Sequence, residues 1–415
     1  MGFVHRRWFL AVAGLGIFAL GCSGCSDDTA TPDANDSGVT LDGSTVGPDG
    51  STPADGSTAT DGSQAGDATS NVDAGTTTGT PAVIAGCTIL PPNHIFNTKI
   101  SGLPVHPSSA AFIATIGGST HLHLDLGATV NSSSLSYYGI PYNVVSGNTM
   151  TWSSVAYTTD SPDYTWNPKD ESDCASGSAH TKVAPCTTAN APSPLLPIPA
   201  APLVEGGIYT SALVNDGDHH ILMLDKDKCW LWESYHSYKS NTGWNIFGSA
   251  VFDLSSNALR PATWTSADAA GFPILPLILR ADEASTGKIT HALRFTMTSS
   301  KIRAEYTWPA RHKTGKTTSQ NSPPMGQLFR IKASYVIPSG YTTQAKAILQ
   351  AMKDYGMYIA DGGMNWFVTG EPNAGWTDQT ISDVQNVTGS TFEAVDLAPI
   401  RNRSGFDANS GAVPP

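Results

Sequence analysis

The stretch GKITHALRFTMTSSKIRAEYTWPARH, Gly287 to His312, holds two histidines and three arginines among residues that otherwise alternate as strand residues do. A neutral histidine takes up a proton near neutral pH, and arginine holds a carboxylate through paired N–H groups. His291, Arg294, Arg311 and His312 at one end of a sheet groove would suit β-elimination on a uronic-acid polymer, where neutralising the carboxylate acidifies the neighbouring C–H. Alternation puts His291 with Ile289, Leu293 and Phe295, and Arg294 on the opposite face. A shared site therefore needs a bulge or a sheet edge. The alternative is a core histidine with a satisfied hydrogen bond and Arg294 paired with Glu305.

A second constellation lies in DGDHHILMLDKDKCWLWESY. Glu233 alternates with Leu231 and Cys229 and is expected to point inward. A glycosidase needs two carboxylates about the scissile bond, one with a raised pKa. Asp225, Asp253 or Glu283 could partner Glu233, with His220 close by in sequence. Trp230, Trp232, Tyr235 and Tyr238 would either stack on a sugar or pack in the core. In THLHLDLG, His121, His123 and Asp125 share one strand face, a spacing that can present metal ligands, with Asp218, His219 or His220 as a fourth. No G-x-S-x-G elbow is present, although Ser249 sits in FGSA. Walker A, dinucleotide and H-E-x-x-H patterns are also missing, so no resident cofactor is expected.

The elements that must position these residues are mostly strands. HHILMLDKDKCWLWESY reads as a hairpin turning at Asp225 to Lys228, the opening stretch as another turning near Thr298 to Lys301, and MYIADGGMNWFVTG as a third around Asp361 to Gly363. THLHLDLG and TFEAVDL are single strands. PSSAAFIATIGG reads as a short helix, and SADAAGFPILP as a helical turn broken at Pro273. TTQAKAILQAMKDYG is a longer helix, with Ala345, Ile348, Leu349 and Met352 at helical spacing, and TDQTISDVQNV a second. The expected fold is mostly β, a β-sandwich or jelly-roll-like sheet with a few packed helices. The segment from Asp160 to Pro202 is expected to be an irregular surface loop.

The chain ends explain its setting. Residues 1–22 have a basic n-region, an apolar h-region too short to span a bilayer, and Ala19-Leu20-Gly21-Cys22, which is similar to a lipobox with Cys22 as the lipidated residue; Cys25 is a second candidate. Ser23 after Cys22 points to the outer membrane. Residues 23–81, rich in Asp, Gly, Ser and Thr, cannot bury enough apolar surface to fold and read as a disordered tether. The net charge of −12 falls largely on this tether, so residues 82–406, the globular domain, are near balance and nothing supports nucleic-acid binding; residues 407–415 read as a C-terminal tail. Cys174 and Cys186 flank a short loop and are expected to pair, worth roughly 3 kcal/mol on the loop-entropy picture. That leaves Cys87 and Cys229 as a second pair, since the spacings match no zinc pattern.

Taken together, YYGIPYNVV, DHHILMLDKDKCWLWE, GSAVFDLSSNALRPATWTSADAAGFPILP, ITHALRFT, WPARH, PPMG and ILQAMKDYGMYIADGG give the chain a family resemblance. It resembles a family of secreted proteins from actinobacteria and myxobacteria, some of which carry carbohydrate-binding modules. The resemblance covers nearly the whole globular region. It implies an exported bacterial protein with a polysaccharide-related role, brings no established activity with it, and favours the pairing of Cys87 with Cys229. The sequence thus supports a monomeric cell-surface lipoprotein, held to the membrane by its lipid alone. It would act on a polysaccharide as hydrolase or lyase, with His220, Glu233, His291, Arg294, Arg311 and His312 as candidates. The alternative is a non-catalytic protein binding a glycan or another extracellular partner.

Overall fold

The computed structural model describes residues 76–127, 139–158, 168–208 and 217–415; the expected export signal, Cys22 and most of the expected tether, up to residue 75, lie outside the described residues. As expected, the domain is mostly β with few helices. A mixed sheet of six strands runs in the order Phe392–Ala394, Leu328–Ile331, Met357–Gly362, Leu293–Met297, Phe367–Thr369, His123–Asp125. A second sheet has four strands, Gly248–Asp253, Trp230–Tyr235, Ile221–Asp225 and Tyr142–Val145. A third has six, running from Tyr238–Ser240 to Thr181–Val183. No described helix is long and apolar enough to cross a membrane.

The second sheet is buried on both faces, which is why Ile221–Asp225 and Trp230–Tyr235 read as nearly continuous apolar runs. Leu222, Leu224, Leu231, Ala250 and Phe252 enter the large core, whereas Ile221, Met223, Trp232 and Val251 enter a smaller core with Trp152 and Trp244. Trp232 is thus core packing, edge-to-face with Trp152, and Trp230 lies half-buried beneath Lys228. The expected hairpin forms, with Asp225 opposite Trp230, and the Cys87–Cys229 disulfide ties its turn to the start of the domain.

Two other hairpins do not form. The strand Leu293–Met297 pairs on one edge with Met357–Gly362, parallel, and on the other with Phe367–Thr369, antiparallel. It therefore separates the two halves of the expected Asp361 hairpin. Both its edges are occupied, so the chain leaves it by a short 3₁₀ turn at Ser299–Lys301, and Arg303–Tyr306 pairs instead with Pro324–Met325. Strand propensity was read correctly; partner choice depends on long-range packing that local patterns do not encode. The segment expected as an irregular loop also contributes structure. Cys174–Ser176, Thr181–Val183 and Leu195–Leu196 join the third sheet, and the Cys174–Cys186 disulfide closes a small satellite core with Ala191.

The helix Thr343–Asp354 forms as expected, with the Thr342 hydroxyl accepting from the Ala345 N–H and Ala345, Ile348, Leu349 and Met352 fully buried. It ends at Gly356, whose φ of +74° and approach to the Phe329 carbonyl leave no room for a Cβ. Ser109–Ile116 and Asp378–Gln385 are also helical. SADAAGFPILP gives a turn followed by the 3₁₀ helix Leu275–Leu277, because Asp268 Oδ1 accepts from the Ala270 N–H and breaks the helical pattern. The last residues pack onto the domain, with Ala412 bridging to His94 and Val413 buried.

Candidate functional site

A cleft among the described residues has a volume of about 840 Å³ and is lined by Asp218, Tyr235, Phe247, Ser299, His312 and Asp361, among others. Such a volume suits a small polar ligand or one or two sugar units. Its floor is the turn Ser266–Gly271. The Ala267 carbonyl accepts from His220 Nε2 at 2.9 Å, the Ala269 carbonyl from His312 Nδ1 at 2.9 Å, and Asp268 accepts from Arg294. One turn therefore gathers groups from three other chain segments.

Behind the floor, Arg294 is buried. Its Nε and Nη2 reach Asp268 Oδ2 at 2.9 and 2.8 Å, its Nη1 donates to Thr369 Oγ1 at 2.7 Å, and its Nη2 stands 3.6 Å from Asp361 Oδ2. Burial opposes the guanidinium charge, but Asp268 and Asp361 outweigh it and raise the Arg294 pKa. Asp361 reaches this face through a bulge. Phe295 pairs with Ile359 but Thr296 pairs with Asp361, so Ala360 is the extra residue. Without it Asp361 would oppose Met297 on the apolar face; with it Asp361 joins Thr296 and Arg294. Burial, with Asp268 adding repulsion, pushes the Asp361 carboxyl up to about 7 against the pull of Arg294.

On the adjoining wall, His220 Nδ1 lies 2.6 Å from Glu205 Oε2, and the His220 N–H donates to the same oxygen at 3.2 Å. Burial disfavours the imidazolium, but Glu205 more than compensates and raises the His220 pKa to about 9. Asp218 sits exposed at the rim, accepting from Tyr235 Oη at 3.3 Å, and its pKa is raised by loss of solvent about the carboxyl and by Glu205. Glu205, Asp218 and His220 each place one ligand atom within 4.8 Å of the others.

The six candidate residues separate into distinct environments. His312 lines the cleft, while His220 and Arg294 are buried behind its lining, bonded to the Ala267 carbonyl and to Asp268. Glu233 is fully buried in the large core. Its Oε1 accepts from the Ile274 and Leu275 N–H groups at 2.7 and 3.2 Å, and burial lifts its pKa to about 8. None of its expected carboxylate companions adjoins it: Asp225 accepts from the Asp227 N–H of its own turn and from the Gly147 N–H, Asp253 bonds Ser255, and Glu283 belongs to another cluster. In that cluster His291 Nε2 lies 3.1 Å from Glu283 and 2.9 Å from Arg280 Nη2, and Nδ1 donates to the Ala292 carbonyl. His291 is thus a core histidine with both nitrogens bonded. Arg311 binds the Ala408 carbonyl and Asn409 Oδ1, tying the C-terminal segment to the domain. Glu305, the expected partner of Arg294, is paired with Arg303.

His121, His123 and Asp125 share a strand edge but not a ligand cluster. His121 Nδ1 lies 2.7 Å from the Gln385 carbonyl, and His123 stacks on Phe367 with Nδ1 3.1 Å from Asp125. Sequence reasoning missed Glu205, Asp268 and Thr369, and took Asp361 only as a turn residue. Asp268 was detectable as an acidic residue in a Gly- and Pro-flanked turn; Glu205, in PLVEGG, carried no signal. No family model, curated protein or solved structure matches the chain.

Proposed function

We propose that the protein is an exported, lipid-anchored hydrolase of polysaccharide, working in the Asp218–Asp361 cleft. The observation that carries this reading is that two carboxyls, Asp218 and Asp361, line one open cleft with a buried Arg294–Asp268 pair fixed behind them. Asp361 gives its proton to the leaving glycosidic oxygen, and Asp218 takes one from the attacking water, the division of labour that two carboxyls with different surroundings allow. The lyase alternative is weaker: elimination needs a base and an arginine that reach the substrate, whereas His291 and Arg294 are 2 % and 3 % exposed. The exported setting rests on the N-terminal signal, Cys22 and the family resemblance.

The test is release of reducing ends from a panel of bacterial and plant polysaccharides, with absorbance of unsaturated uronides followed in parallel. Reducing ends lost in Asp361→Asn and Asp218→Asn, but kept in Glu233→Gln, are expected. Unsaturated product would return the lyase. Silence across the panel with folded protein would leave a glycan-binding role.

A further inference from the structure

The wall of the cleft carries a feature that a two-carboxyl hydrolase does not require. His220 Nε2 faces the Ala267 carbonyl, an atom that only accepts, so Nε2 bears the hydrogen. The other nitrogen, Nδ1, then meets Glu205 Oε2 at 2.6 Å. Two lone-pair atoms at that distance need a cation with them, either a second proton on the ring or a metal ion. Anchoring of the far nitrogen by a backbone carbonyl is how a ligating histidine has its tautomer and ring orientation fixed.

The charges nearby point the same way. Glu205, Asp218, Asp268 and Asp361 act on one another electrostatically, and Arg294 is engaged by Asp268. Arg294 also reaches Asp361 at 3.6 Å, while Glu205 and Asp218 both lie beside the His220 imidazole, where the burial of Glu205 and His220 magnifies their charges.

We propose that Glu205, Asp218 and His220 hold one divalent cation at the edge of the cleft, with open coordination positions toward it. One imidazole nitrogen with two carboxylate oxygens suits zinc or manganese better than calcium, which takes oxygen ligands throughout. Glu205 and His220 are buried and mutually hydrogen-bonded, so they form the fixed part of the site; Asp218, exposed at the rim, completes it from the cleft side. An ion there holds the water that Asp218 would otherwise activate alone, or a ligand hydroxyl. That role rests on the hydrolytic reading; the binding of the ion does not.

The test titrates the full chain, stripped with a chelator, with zinc and separately with manganese in a calorimeter, and follows thermal unfolding alongside. One ion per chain is expected, with a rise in Tm at saturating metal. Asp218→Asn, at an exposed position, should fold as the parent does and lose affinity at least about tenfold, and His220→Gln should lose it further. No heat and no change in Tm with either ion up to about 1 mM would overturn the proposal. So would parent-like affinity in Asp218→Asn, which decides the matter even if His220→Gln does not fold. Metal binding with silent polysaccharide assays would remove the hydrolytic reading and leave this one standing; hydrolysis without metal binding would do the reverse.

Discussion

Arg294 holds Asp268 by two nitrogens on a single oxygen, at 2.9 and 2.8 Å, and both residues are buried. The pair joins the central strand of the mixed sheet to the cleft floor, so it fixes the turn that carries Ala267 and Ala269. Replacing Arg294 by Met strands a buried carboxylate and should cost about 3–5 kcal/mol. The double variant Arg294→Met/Asp268→Asn should recover part of that loss. A double-mutant cycle in urea measures the coupling; additive single effects would show that the pair does not act as a unit.

Asp361 is placed by a bulge and titrates near neutrality, so its role is open to a pH test. A proton donor works only while protonated. With the carboxyl pushed up to about 7, kcat/KM on the substrate identified should fall as pH rises through that value, and fall again at lower pH as Asp218, the base, takes up a proton. Asp361→Asn should lower kcat by about 100-fold or more with little change in Tm, because the side chain is 26 % exposed and not core. A profile level from about pH 6 to 8 would remove Asp361 from the donor role.

What was legible in the sequence was whatever rests on local pattern. The periodicity at Ala345, Ile348, Leu349 and Met352 gave the long helix, and the apolar runs on either side of Asp225–Lys228 gave the hairpin. The cysteine arithmetic gave both disulfides. The site was mostly illegible because its members meet through non-local events. One extra residue, Ala360, turns Asp361 onto the face of Arg294, and a strand inserts between two segments that are neighbours in sequence. Glu233 shows the opposite failure. Its alternation correctly placed it inward, but inward on that face is the large apolar core and not the cleft.

Glu233 therefore gives a prediction about stability. Its folded pKa of about 8 lies above the ordinary 4.5, so the native state keeps a proton that the unfolded chain releases. Stability should be greatest at and below about pH 4.5 with respect to this group, decline as pH rises to about 8, and level off above, by a few kcal/mol in all. Glu233→Gln keeps an acceptor for the Ile274 and Leu275 N–H groups and has no proton to lose. Its denaturation midpoint should vary less with pH across that window. An unchanged slope would show that Glu233 is not the group responsible.

The disulfides differ in how much chain they close. Cys87–Cys229 spans 142 residues and Cys174–Cys186 spans 12. If both act by restricting the unfolded chain, the first contributes about 5 kcal/mol and the second about 3. Their contributions should also differ in kind. Cys87 packs in the large core, so its loss should lower the midpoint of the whole domain. Cys174 and Cys186 close a satellite cluster with Ala191, and their loss should loosen the third sheet first. Amide exchange on Cys87→Ser/Cys229→Ser and Cys174→Ser/Cys186→Ser separates the two. Uniform loss of protection in both variants would mean that the satellite cluster unfolds only with the rest of the domain.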